Sequence, residues 1–513
     1  MPPAPDPRIN RLLPPLLAAL LAIAVYAPCL RNQFVYDDVQ LLLMDPRLTD
    51  PSEWSRYWTE SYNGGIDNLS RPLVSMTFAA QGALHGLEPR WPWFAVNILL
   101  HAAVSALVAV VARAAIGCRP LVAAGAGLIF AALPVHAEAV GSVVGRAETM
   151  CAAFFLGAIT LASRPLTAGR AAAVWACAVG AMLSKEQGLI LPLALLLQRW
   201  CFPPFDRPAQ RRGAITLTLL ICWTFAGYIV FRENMLKFWW DRTLLDPMQQ
   251  PMIWSHGWDR ALMPLVLLGR YVRLFAWPDT LSLDWGGQVI GWRVHVTDPD
   301  LWIGVVAVLA WIVAFTWALR RRHRGVSFLL LSAGASYALI SNAFTLIGTN
   351  FGERLIYLPS AFLCILAAMA IGRMPRPAAA ALIGLIVIAG AARTIAYIRL
   401  FDDRLRLYTA AVEDQPRSVR LRMLLASELI DRRRLDDALA AAEGAVRLQP
   451  DYHEAYLMAA VVQTERGCFD SAEALLNQAL AAPTLKNPSK IAGYLGRVRN
   501  LRSASTRPSD PPR

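Results

Sequence analysis

Charge is scarce in this sequence. Asp, Glu, Lys and Arg together make up 17% of its 513 residues, where a soluble globular domain carries about 25%. Hydrophobic residues reach 56% and the mean hydropathy is +0.39, which excludes a large soluble protein with a conventional surface. Paired cysteines are lacking too. Cys29, Cys118, Cys151, Cys177, Cys201, Cys222, Cys364 and Cys468 are scattered, and none stands in a C-x-x-C or Cys/His spacing. Neither a disulfide framework nor a thiolate metal site is expected, and the thiols read as small apolar packing groups. No nucleic-acid-binding motif accompanies the formal net charge of +13. The basic residues instead flank hydrophobic runs, as the positive-inside bias requires, so nucleic acid is not an expected partner.

What is present is a succession of apolar runs, each long enough to cross a hydrocarbon core of about 30 Å. Arg8 and Arg11 precede the first run, Leu12–Leu30, which lacks an A-x-A-like cleavage site. It reads as an uncleaved helix with its N-terminus in the cytoplasm. A polar stretch from Arg31 to Trp91 follows, too long for an ordinary connection and therefore expected to be functional. Further spans are expected at about 92–112, 120–135, 148–162, 169–183, 187–201, 213–231, 301–319, 326–345, 355–372 and 378–400. Cytoplasmic turns are marked by Arg113 and Arg119, Arg164 and Arg170, and Arg199, Arg207, Arg211 and Arg212. A crossing at 259–277 would put the cluster Arg320–Arg324 outside, so that segment reads as a re-entrant or partly embedded helix. The total is about eleven spans over residues 1–400, and an odd count places the C-terminus outside.

After Phe401 the composition turns to charged amphipathic helix. Pro416 and Pro450 stand 34 residues apart, the tetratricopeptide period, and at that offset Ala426 matches Ala460, Asp436 matches Asp470, Ala438 matches Ala472 and Ala445 matches Ala479. The expected fold class is thus all-α: a polytopic bundle, then a tetratricopeptide domain at 401–485 with repeats at about 417–450 and 451–484. Two repeats are few, so flanking helices, docking on the bundle, or both should complete the array. Residues 486–513 read as a tail, disordered from 503.

The chemistry-bearing residues collect on the non-cytoplasmic side. Asp37 and Asp38 directly follow the first helix, and in an extended segment their side chains point apart, so the pair should divide roles. A bare Asp-Asp is more often a cap or a solvated pair. Here, however, Arg71, His136, Glu138, Arg146, Glu148, Lys185, Glu186, Glu353 and Arg354 share its side of the membrane. Singly each reads as an interfacial anchor. Together they would line a cavity with cations for a lipid phosphate and carboxylates for an acceptor. Trp54, Trp58, Trp239, Trp240, Trp254, Trp258 and Trp285 read mainly as an interfacial belt, with one or two as sugar platforms.

The ordered set Phe34–Asp38, Arg71–Leu73, Val96–His101, Pro134–Glu148, Ser184–Gly188, Leu281–Trp285 (which holds Asp284), Ser341–Asn342 and Gly348–Ser360 resembles the animal transmembrane-and-tetratricopeptide O-mannosyltransferases. These are GT-C glycosyltransferases with an acidic motif in the first external loop. The resemblance implies sugar transfer from a polyprenyl-phosphate donor to a protein or glycan acceptor. Asp37 and Asp38 match the acidic motif, and the other polar residues match further loop positions. Gly352 stands where the family usually has alanine. The repeat array is shorter than in the animal proteins, and the Arg/Ala-rich composition looks bacterial. That would imply an undecaprenyl-phosphate sugar and the inner membrane, with loop 31–91 and the repeats outside.

The resulting expectation is an inverting single displacement. Asp37, with Asp38 as second choice, takes the acceptor proton. Arg146, Lys185 and Arg354 meet the charge of the departing phosphate. A divalent metal, Mg or Mn, on Asp38 and Glu138 is a further expectation. The rival readings are a non-catalytic membrane scaffold that recruits a protein partner through its repeats, and a transporter, which would favour ionisable residues at the bilayer midplane and an internal membrane repeat.

Overall fold

The computed structural model of the chain describes residues 9–62, 69–202, 208–236, 245–485 and 487–505, and among them every regular element is helical. Arg8, Arg207, Trp239, Trp240 and the tail 506–513 lie outside the described residues. The membrane half comprises α1 (Ile9–Tyr26), α2 (Pro72–His85), α3 (Trp91–Val110), α4 (Pro120–Ala132), α5 (Ala137–Gly141), α6 (Arg146–Ala162) and α7 (Ala168–Ser184). It continues with α8 (Leu191–Cys201), α9 (Pro208–Leu236), α10 (Gly257–Ala276), α11 (Pro299–Arg320), α12 (Arg324–Ile340), α13 (Tyr357–Ile371) and α14 (Arg376–Ile398). Proline opens α3, α4, α8, α11 and α14 within their first two positions, where its missing N–H has no helical partner to lose.

A helix stands at each of the eleven expected spans. By length and apolarity seven segments qualify among the described residues, or eight if the bent pair Pro120–Ala132 and Pro134–Gly141 counts as one. The others are shorter: α7 and α12 have 17 residues and α8 has 11. Each gives up its outer turn to a polar connection, 185–190 between α7 and α8 and 341–352 after α12. The chain is an integral, multi-pass membrane protein. The ambiguous segment 259–277 is the single helix α10, and both its ends stay at one end of the bundle. Arg260 donates to the carbonyl of Ala343 beyond α12 (3.2 Å), and the carbonyl of Pro278 accepts from Arg393 late in α14 (3.1 Å). Its cations Arg270 and Arg273 pair with the buried Asp300 at the start of α11 (2.5 and 3.1 Å).

The C-terminal helices are α15 (Arg404–Asp414), α16 (Val419–Asp431), α17 (Leu435–Leu448), α18 (His453–Glu465), α19 (Phe469–Ala481) and α20 (Ser489–Ser505). The alanines related by the 34-residue offset are all buried without exposure, and their small side chains let the helices approach closely. Ile491, Leu495 and Val498 of α20 close the far end against Leu476 and Ala479, so the region read as a tail is helical through Ser505. At the near end Phe401, Leu407, Tyr408, Ala411 and Leu421 belong to the same hydrophobic core as the bundle. The array is therefore fused to the membrane half.

Candidate active site

The two ends of the bundle differ in charge. Gly325 packs on Ile116 and Gly372 on Val122, which gathers Arg113, Arg119, Arg320–Arg324 and Arg373 at one end. At the other, Leu133 leaves α4 in an extended conformation and the chain bends by 52° into α5. It then turns through Ser142 into α6. Gly145 allows this turn, and Gly188 the one between α7 and α8. A Cβ on Gly145 would lie 2.2 Å from the carbonyl oxygen of Ala139, and one on Gly188 would lie 2.4 Å from that of Ala181. Real Cβ atoms do not approach backbone so closely, so these turns close only on glycine.

Arg354 is the hub of the resulting cluster. Its Nη2 donates to Asp37 Oδ2 (2.9 Å), Nη1 pairs with Glu138 Oε1 (3.4 Å), and Nε lies 3.7 Å from Glu148 Oε1. Its backbone N–H donates to Glu138 Oε2 (3.0 Å). Lys185 Nζ donates to Glu148 Oε1, and both side chains are buried. Beside them Arg71 pairs with Glu186 (3.1 Å) and lies over the Tyr62 ring. One connected field therefore unites Asp37, Glu138, Glu148, Lys185 and Arg354, with the Arg71–Glu186 pair adjoining. Several of its buried atoms, Glu148 Oε2, Glu186 Oε1 and Arg71 Nε, have no hydrogen-bond partner among the described residues.

The adjacent aspartates part company. Asp37 is partly exposed and lines a cavity. Asp38 is fully buried: Oδ1 accepts from Ser142 Oγ (2.7 Å) and Val144 N (2.9 Å), and Oδ2 from Val35 N (3.3 Å). Burial pushes its carboxyl up to about 6, against the opposing pull of these donors. Asp38 thus ties the first loop to the 142–144 turn and does not face the cavity as a second base.

Other expected residues also stand apart from the cluster. His136 is buried in the bundle, bonded to Phe130 O (3.0 Å) and Ser360 Oγ (2.8 Å). Arg146 spends four of its five N–H donors on neutral acceptors of Asn97, Thr77, Gln81 and Trp93, with its guanidinium over the Phe78 ring. Glu353 turns away from its neighbour and accepts from Ser282 N (2.7 Å) and Trp285 Nε1 (3.1 Å). Trp285 is consequently a buried strut, whereas Trp58 and Trp258 are exposed. Asp284 sits at the edge, bonded to Ser418 and Arg420. Nor do the carboxylates fit a metal. Asp38 is spent on hydrogen bonds, Asp37 and Glu138 converge on a guanidinium, and no group of three or more potential ligands forms among the described residues.

The cavity, of about 1400 Å³, opens between the first loop and the C-terminal helices. Tyr36, Asp37 and Tyr62 line one wall; Arg404, Tyr408, Arg420 and Glu428 line the other. These C-terminal contributors carry no local signature, since they lie some 370 residues from the acidic motif in the sequence.

Comparison with known proteins gives a consistent set of relatives. The chain is 28% identical over 305 residues to protein O-mannosyl-transferase TMTC2 of Homo sapiens, covering 54% of this chain and 35% of that one. It is 26% identical over 463 residues to protein O-mannosyl-transferase F38B6.6 of Caenorhabditis elegans, covering 86% and 63%. It is 26% identical over 499 residues to protein O-mannosyl-transferase TMTC1 of Homo sapiens, covering 85% and 56%. The chain thus spans between about a third and two thirds of the length of these relatives. No family model and no solved structure matches it.

Proposed function

We infer that this chain, a relative of the protein O-mannosyl-transferases, is a membrane glycosyltransferase that moves a hexose from a polyprenyl-phosphate donor to a hydroxyl of a protein acceptor. One observation carries the reading: Asp37 lines a large cavity with its carboxylate held by Arg354, at the edge of a field of buried carboxylates and cations. A scaffold has no need to bury such a field, because each ion costs several kcal/mol to desolvate.

In this reading Asp37 accepts the proton of the acceptor hydroxyl as its oxygen attacks the anomeric carbon. The bond from that carbon to the phosphate oxygen breaks on the opposite face, and the lipid phosphate leaves with the electron pair. Being already an anion, it needs no general acid. Lys185, Arg354 and Arg71, whose Nε–H has no partner among the described residues, are the cations proposed to meet its charge. Arg146, assigned to that task from the sequence, is given a structural role instead. No step is routed through a metal.

The cavity is the proposed acceptor approach, and the helix pairs α16–α17 and α18–α19 are read as tetratricopeptide repeats forming its outer wall. Loop 31–91 touches α15 through Tyr408 and α16 through Arg420, so both are assigned to one side of the membrane, the side opposite the basic turns.

The deciding experiment is transfer by the purified protein from radiolabelled polyprenyl-phosphate mannose and glucose, with membrane extract as acceptor and Asp37→Asn as control. Label in a product with the wild type alone supports the class and identifies the donor. Folded protein that consumes neither donor would overturn it.

A further inference from the structure

The acidic motif is held in place by residues from the far end of the chain. Tyr36, which precedes Asp37, has a φ of +52°, a left-handed conformation that a bulky residue adopts only under restraint. Past this turn the two aspartates part, Asp38 bonding to the 142–144 turn inside the bundle and Asp37 to Arg354. Several contacts restrain it. The Tyr36 backbone N–H donates to Tyr408 Oη (3.0 Å) on α15. Its ring lies under the Arg420 guanidinium, 4.9 Å from ring centre to carbon. Its hydroxyl reaches Asp284 Oδ1 (3.5 Å).

Asp284 is in turn gripped by the first turn of α16. Ser418 Oγ donates to Asp284 Oδ2 (2.7 Å) while accepting from Leu421 N as the helix cap (3.1 Å), and Arg420 Nη1 pairs with Asp284 Oδ1 (3.4 Å). Burial pushes the Asp284 carboxyl up, and Arg420 and Ser418 oppose that shift.

We propose that the C-terminal helices are a working part of the candidate site: Tyr408, Ser418 and Arg420 are positioning residues that hold Tyr36 in its strained turn and thereby aim Asp37. The proposal rests on the transferase reading for its effect on rate, but the clamp itself has a readout independent of rate. It makes the helical array more than a docking module. Any movement of α15 and α16 is passed directly to the residue assigned as base.

The test uses the full-length protein in detergent, with the variants Tyr408→Phe, Arg420→Lys and Arg420→Met. Tyr408→Phe removes one hydroxyl and keeps the ring in the core. Amide exchange at Tyr36 should speed up by about tenfold in Tyr408→Phe, the scale of one lost hydrogen bond. In the transfer assay Tyr408→Phe and Arg420→Met should each lower kcat by about tenfold with the donor KM within about twofold, since Asp37 is misaimed and the donor site untouched. Arg420→Lys, which keeps the charge near Asp284, should recover part of that loss. The double variant should fall short of the product of the single effects, because both act through one turn.

Unchanged exchange at Tyr36 overturns the clamp whatever the activity, and faster exchange with wild-type kcat overturns its positioning role. If the wild type transfers nothing, the transferase reading fails, and exchange alone then decides for or against the clamp.

Discussion

The two ends of the membrane bundle use charge in opposite ways. At one end Arg320–Arg324 and Arg373 are exposed, of one sign, and without carboxylate partners among the described residues. At the other, Glu138, Glu148 and Lys185 are almost fully buried, of mixed sign, and joined through Arg354. Exposed charge is screened and individually weak, yet its sum decides which way the chain lies in the membrane. Buried charge is expensive unless partnered, so it survives only where geometry satisfies it. The first kind is set by composition near a helix end. The second needs the assembled fold.

The largest effect that separates the two ends should come from Lys185→Met. It leaves Glu148 buried with only a distant guanidinium contact, and should lower stability by about 3–5 kcal/mol, seen as a large drop in thermal midpoint in detergent. Asp37→Asn should follow. It keeps the shape and a hydrogen bond to Arg354 but removes the base, so transfer should fall by at least about 100-fold, worth about 2.7 kcal/mol, with the thermal midpoint unchanged. Equal activity in that variant would remove Asp37 from the chemistry.

Asp38→Asn should do the reverse. An amide nitrogen opposite Val35 N cannot accept its hydrogen bond, so stability should fall by about 1–3 kcal/mol. Its pH signature is also distinct. The folded protein holds the Asp38 proton to about 6, above the usual 3.8, so between these values the native state binds more protons than the unfolded one. That stabilisation is full below the lower value and lost as pH rises through the upper. The wild-type midpoint should therefore decline across that window, and Asp38→Asn should flatten this part of the curve. The smallest effect belongs to the other end: Arg321→Ala should change stability by less than about 0.5 kcal/mol.

Much of the molecule was readable in advance. The apolar runs, the basic turns and the 34-residue alanine pattern each report a local requirement, whether length against the bilayer, charge at a helix end, or a small residue at a helix contact. The motif residues Asp37, Glu138, Glu148, Lys185 and Arg354 stand out in the sequence, and they converge in the fold. His136, Arg146 and Glu353 stand out on the same grounds and do not. Type and side of the membrane say that a polar residue is available, but not whether neighbouring backbone and amide groups already satisfy it. Arg146 illustrates this: Asn97, Thr77 and Gln81 surround it and accept its hydrogen bonds, and no local spacing links them to it.

The sequence by itself determined an integral multi-pass helical protein, the polarity of its two ends, and the kinship carried by its ordered motifs, because periodicity, hydropathy and local spacing are properties of neighbouring residues. Only the tertiary structure decided that Asp37 and not Asp38 faces the cavity, that Arg354 is the hub, and that Tyr408, Ser418 and Arg420 grip the acidic motif. These depend on a left-handed turn at Tyr36 and on contacts spanning up to 372 residues, and a contact at that separation leaves no mark on the local pattern of either partner.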